Sequence, residues 1–101
     1  MSLARWDALP LEKVTEMVAR KTVRSDGLVV SQVYLKKGAL VPRHQHTGEQ
    51  MIYVLQGALR AELDGQDITV REGDLLQVVA GLPHQAEALD DTFLLDIRRE
   101  G

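Results

Sequence analysis

Cysteine is absent from this chain, and that one absence removes disulfides, thiolate metal ligands and a cysteine nucleophile together. Basic excess is absent too. Twelve Lys and Arg against 15 Asp and Glu give a formal net charge of −3 with the signs interspersed, so no basic stripe exists to hold nucleic acid and no polybasic patch to hold lipid. Nucleic acid and membrane are therefore excluded as expected partners. No apolar run approaches membrane-spanning length, and Ser2-Leu3-Ala4-Arg5-Trp6-Asp7, following Met1, lacks the apolar core of a signal peptide. The expected setting is cytoplasmic. A length of 101 residues allows one core and not two, so a single domain over 1–101 is expected.

What the chain does have is regular punctuation. Asp26-Gly27, Gly38, Gly48, Gly57, Asp64-Gly65, Gly73-Asp74, Gly81 and Asp90-Asp91 separate short runs rich in Val, Ile, Leu and Tyr. That pattern predicts an all-β chain, an antiparallel sandwich or barrel. The predicted strands are 28–35, 50–55, 59–63, 67–70, 75–79 and 93–97, with Asp64-Gly65 as a two-residue hairpin turn. Residues 13–23 fit helical spacing through Val14, Met17, Val18 and Lys21, and strand alternation through Val18, Arg20 and Thr22; strand is favoured because all that follows is β. Pro10 predicts an irregular or short helical lead-in. Ile52, Val54, Leu59 and Leu63 are expected in the core or pocket wall. Tyr34, Tyr53 and Phe93 read more readily as packing residues than as substrate platforms.

All three histidines fall into one pattern: His44 and His46, then Gln50 after a polar turn, then His84 in Gly81-Leu82-Pro83-His84. Residues two apart on a strand point to the same side, so His44 and His46 can present both rings to one centre. Imidazole nitrogen is a good ligand for several divalent ions. Thr47-Gly48 is a plausible reversal, since Gly tolerates the backbone angles of turns, and the strand after it can bring Gln50 back beside the histidines. The competing reading is three unrelated histidines with Gln50 a buried amide satisfied by backbone.

The stretch from Gly38 through His44-Gln45-His46-Thr47-Gly48-Glu49-Gln50 to Gly57 resembles the first motif of the cupin superfamily, and Gly73-Asp74-Leu75-Leu76 through Pro83-His84 resembles its second. The resemblance implies a small double-stranded β-helix, or jelly-roll, barrel with one divalent metal ion (Mn, Fe, Ni or Zn) held by His44, His46, Gln50 and His84. The position usually held by Glu is Gln50 here; Glu49 is its neighbour and the alternative fourth ligand. A neutral ligand set leaves the ion its full charge, which attracts a small anionic molecule, acidifies bound hydroxyls and holds metal less tightly.

Within the superfamily, Val18-Ala19-Arg20-Lys21, the Gly-Asp-Leu-Leu of the second motif and Asp91-Thr92-Phe93-Leu94-Leu95-Asp96-Ile97 look closest to the pectin-degradation (KdgF-type) family. Its members open the ring of a 4,5-unsaturated uronate to the linear keto form. The resemblance implies a lyase or isomerase using the metal as a Lewis acid on a small hydroxy- or keto-acid or an unsaturated uronate. Asp96 would move the proton, with Arg20, Arg98 and Tyr53 as substrate-binding candidates. Asp96 can equally be a structural carboxylate paired with Arg98 or Arg60. Two further classes remain open: an iron-dependent oxygenase, and a non-catalytic sensory or small-molecule-binding barrel. Trp6, the only tryptophan, lies in an N-terminal arm (1–12) expected to pack on a second subunit in a homodimer.

Overall fold

Alternation sets the strands. In Leu28-Val-Val-Ser-Gln-Val-Tyr-Leu35, the buried residues Val29, Ser31 and Leu35 fall on one face, as period two demands. The structure, a computed structural model, describes residues 2–100. A short 3-10 turn over Trp6–Ala8 is the lead-in expected before Pro10. Among the described residues ten strands follow: Glu12–Lys13 (β1), Val18–Arg24 (β2), Leu28–Leu35 (β3), Leu40–His44 (β4), Gln50–Gln56 (β5), Ala58–Leu63 (β6), Gln66–Arg71 (β7), Leu75–Val78 (β8), His84–Ala88 (β9) and Thr92–Arg99 (β10). The six expected strands are β3, β5, β6, β7, β8 and β10, within two residues at each end. Residues 13–23 are strand at Lys13, the end of β1, and from Val18 onward, and residues 14–17 form the turn between, where the amides of Val14 and Thr15 turn back to Val18 O.

All pairings are antiparallel and form two sheets, ordered β1-β2-β3-β10-β5-β8 and β4-β9-β6-β7. Their inner faces pack as a jelly roll around Leu35, Val54 and Leu94 from the larger sheet and Leu59, Ala61, Val70 and Ala88 from the smaller. Val54 and Leu59 are among the most buried residues, and Ile52 and Leu63 pack against them, as expected. Asp64 and Gly65 both take left-handed backbone angles (φ +52° and +71°), which the hairpin joining β6 to β7 requires.

Gly57 marks the step from the larger sheet to the smaller. Its φ is +88°, and a Cβ there would collide with the Asp91 carbonyl and lie 2.6 Å from Thr92 Oγ1. Only glycine fits.

Candidate metal centre

An irregularity in β4 aims the first histidine. Val41 pairs with Ala86, but the next pair is His44 with His84, so β4 uses three residues where β9 uses two. The extra residue falls at Pro42-Arg43, and proline, which has no N–H to offer a ladder, suits a bulge. Strict alternation from Val41 would have turned Arg43 inward. The bulge turns it outward, where it meets Glu62 at 3.4 Å, and brings His44 onto the inner face opposite His84.

His46 follows on a loop pinned from two sides. Gly81 N donates to His46 O (2.7 Å) and Arg99 N donates to Glu49 O (3.0 Å). Gly48 was expected to supply turn angles, yet it does not take a left-handed φ. Its lack of a Cβ serves close approach instead, because a Cβ there would run into the Arg99 carbonyl.

The three histidines converge, with one ligand atom from each lying within 4.8 Å of the others. His44 Nδ1 donates to Pro42 O (2.9 Å) and His84 Nδ1 donates to Leu82 O (3.0 Å). A carbonyl can only accept, so these bonds fix the ring protons on Nδ1 and leave Nε2 of both rings as a lone pair. His44 Nε2 lies 3.0 Å from His46 Nε2. His84 Nε2 is buried with no partner. The His46 ring is held below its ordinary pKa, first by burial, then by the positive charge of Arg98 and by His44, with Asp96 pulling the other way. Burial and Arg98 thus favour its neutral form; with Nδ1 accepting from Arg98, its proton sits on Nε2 and is donated to His44 Nε2, so a metal held through His46 Nε2 would take the place of that proton and of the Arg98 contact.

Gln50 enters from the opposite sheet. It begins β5 on the inner face with Ile52 and Val54 and is only 4% exposed, whereas Glu49 is exposed. In register it faces Arg98, whose Nη1 donates to His46 Nδ1 at 3.3 Å. Gln50 Nε2 donates to Asp96 Oδ1 (3.0 Å), and Gln50 Oε1 is buried without a partner. A buried acceptor left unsatisfied costs about 1–3 kcal/mol. Two of them, one on a histidine of this cluster and one on Gln50, whose register partner Arg98 contacts His46, suit a cation. The residues present thus fit a divalent metal.

The remaining sequence candidates divide. Asp96 bonds to Gln50 rather than to Arg60 or Arg98; Arg60 pairs with Glu87, and Arg98 reaches His46. Arg20 is held by Glu12 through two bonds of 3.2 Å at the sheet edge, and its guanidinium lowers the Glu12 pKa. Tyr53 lies three residues from Gln50, hence on the outer face of β5, and is 37% exposed. The structure does not bring Arg20 and Tyr53 to the histidines. It adds Ser31, buried on β3 directly opposite Asp96, with its hydroxyl 2.9 Å from that of Thr22. A serine at an inward position of a Val- and Leu-rich strand was the available signal.

The family model for the cupin domain matches residues 31–97. Among solved structures, KdgF from Halomonas sp. is 29% identical, with a TM-score of 0.89 over 97% of this chain and 94% of that one. An RmlC-like cupin from Shewanella frigidimarina NCIMB 400 is 20% identical, with a TM-score of 0.92 over 100% and 92%. Bacillus subtilis oxalate decarboxylase, described with Mn(II) centres, is 24% identical, with a TM-score of 0.82 over 95% of this chain and 28% of that one. The last two likenesses are likenesses of fold. No curated protein matches.

Proposed function

The chain belongs to the cupin domain family, and from that premise we propose that it is a metal-dependent lyase or isomerase acting on a small anionic hydroxy- or keto-acid, with 4,5-unsaturated uronates as the first substrate class to try. The observation that carries the reading is the pair of orphaned acceptors, Gln50 Oε1 and His84 Nε2, at a three-histidine cluster. The likeness to KdgF over nearly the whole of both chains supports the substrate class.

His44, His46, His84 and Gln50 would hold the ion. When bound, it supplies a Lewis acid that polarises a substrate oxygen. The chain's own residues supply the rest. Asp96 has one carboxylate oxygen engaged by Gln50, which leaves the other to move a proton between a substrate hydroxyl and carbon. Arg98 sets a guanidinium beside His46, a partner for a substrate carboxylate. Four neutral ligands leave the ion's charge uncancelled, and Asp96, one hydrogen bond further out, offsets it only in part.

The test is turnover of a 4,5-unsaturated uronate followed by loss of the ultraviolet absorbance of its conjugated double bond. Metal-loaded protein is expected to consume it, and chelator-treated protein and Asp96→Ala are not. Saturable binding without turnover would replace the enzyme by a binding barrel. Oxygen uptake dependent on ferrous iron would replace it by an oxygenase.

The same reading includes a homodimer. Tyr34, Tyr53 and Leu75 lie on the outer face of the larger sheet, exposed by 39%, 37% and 53%. The Trp6 carbonyl accepts from Lys21 Nζ (2.8 Å), which ties the arm across β2 of its own chain. Light scattering showing a monomer at micromolar concentration would remove the dimer from the account.

A further inference from the structure

The fold treats the two polar atoms of Gln50 differently. Nε2 donates to Asp96, and Oε1 is buried and free. An amide is nearly symmetric in shape, so packing alone does not decide which way round it sits. A carboxylate does decide, because it only accepts. Turned over, Gln50 would set its carbonyl oxygen against Asp96 Oδ1 and bury its two N–H donors away from that carboxylate. We propose that Asp96 is a positioning residue for the metal centre: its carboxylate holds the Gln50 amide in the one orientation that leaves Oε1 for a cation. This rests on the reading of Gln50 as a ligand and is separate from any role of Asp96 in proton transfer.

Placement supports it. Asp96 sits on β10, flanked by β3 and β5, in the middle of the six-stranded sheet. It pairs with Ser31 on one side and Ile52 on the other, and Gln50, the partner of Arg98, is its diagonal neighbour on the same inner face. Diagonal neighbours lie within reach of long side chains. A carboxylate anchored there is a fixed reference for a terminal amide whose own torsion is soft.

The same contact accounts for an amide at a position where a carboxylate is the usual ligand. Glutamate at position 50 would bring one carboxylate oxygen against another with no hydrogen between them. Positions 50 and 96 therefore work as a unit of one donor and one acceptor, and the unit can be reversed. In Gln50→Glu/Asp96→Asn, the Asn amide donates to the Glu carboxylate, which then faces the ion.

Mn(II) is titrated calorimetrically into metal-free native protein and into Gln50→Ala, Asp96→Ala, Asp96→Asn, Gln50→Glu and the double variant, with circular dichroism reporting folding of each. Asp96→Ala is expected to weaken Mn(II) binding by roughly 10–100-fold, the usual cost of losing a group that orients a ligand. Asp96→Asn, whose Oδ1 still accepts, restores most of that loss, and the double variant binds more tightly than Gln50→Glu alone. Native affinity in a folded Asp96→Ala beside weakened binding in Gln50→Ala would overturn the positioning role and keep Gln50 as a ligand. Native affinity in Gln50→Ala would overturn the ligand reading and the positioning role with it. If Asp96→Ala does not fold, the double variant decides: binding no tighter than in Gln50→Glu overturns the proposal.

Discussion

The two ends of the barrel interior are chemically opposite. Along the inner face of β5 the side chains run Val54, Ile52, Gln50; along β10 they run Leu94, Asp96, Arg98. At one end Val54, Leu59, Ala88 and Leu94 are at most 5% exposed and present nothing that needs a partner. At the other, Gln50 and His84 are buried to the same degree, yet each keeps an acceptor without a donor. Burial of the first set stabilises the fold at about 25 cal/mol per Å² of apolar area. Burial of the second costs desolvation that a bound cation would recover. One pair of strands thus carries stability at one end and the capacity to bind at the other.

That contrast breaks most severely at Gly57. Gly57→Val places a β-branched side chain at φ +88° with its Cβ driven into the Asp91 carbonyl, at the apolar end. A loss of roughly 3 kcal/mol or more is expected, measured by urea denaturation of the metal-free protein. Leu59→Ala leaves a cavity at the same end and should cost about 2–5 kcal/mol. Because the site lies at the far end of the strands, metal stoichiometry in Leu59→Ala should not change.

His84→Leu acts at the polar end. It loses the Nδ1 bond to Leu82 O but also removes an orphaned Nε2, so the metal-free protein should stay within about 1 kcal/mol of native. The rise in melting temperature on adding a divalent ion should vanish. A metal-free His84→Leu as damaged as Leu59→Ala would mean that both ends are ordinary core.

The smallest expected effect is with pH. His46 has a folded pKa below its ordinary value, so between the two values the unfolded chain binds more protons than the folded one. Its contribution to stability is full above about pH 6.5 and is lost as pH falls through the folded value. Arg98→Leu removes one cause of the lowering and should narrow that window, read from urea midpoints across a pH series. Metal affinity should fall over the same range, as the imidazoles take up protons.

Much of this was legible in the sequence, and the misses share a cause. The histidine set, Gln50 rather than Glu49 on the inner face, the Asp64-Gly65 hairpin and seven of the ten described strands, β2 among them, were expected from the sequence. Strand β9, which carries His84, was hidden in a segment that read as a turn, and the strand expected to carry both His44 and His46 ends at His44. The bulge at Pro42-Arg43 is invisible to alternation because it breaks alternation. Gly48 serves a contact with Arg99, about fifty residues along the chain, so its local sequence suggests a turn. The Gln50–Asp96 bond spans 46 residues, and the Arg20–Glu12 pair exists only once β1 has folded against β2. Each depends on which strands become neighbours, which no single segment encodes.

A metal ion at the polar end of the barrel is what the orphaned acceptors of Gln50 and His84 point to. Elemental analysis of protein purified without chelator, beside His84→Ala, tests it most directly. About one divalent ion per chain is expected in the native protein, and its loss in the variant. No metal in either, with no thermal shift on adding divalent ions, would contradict it.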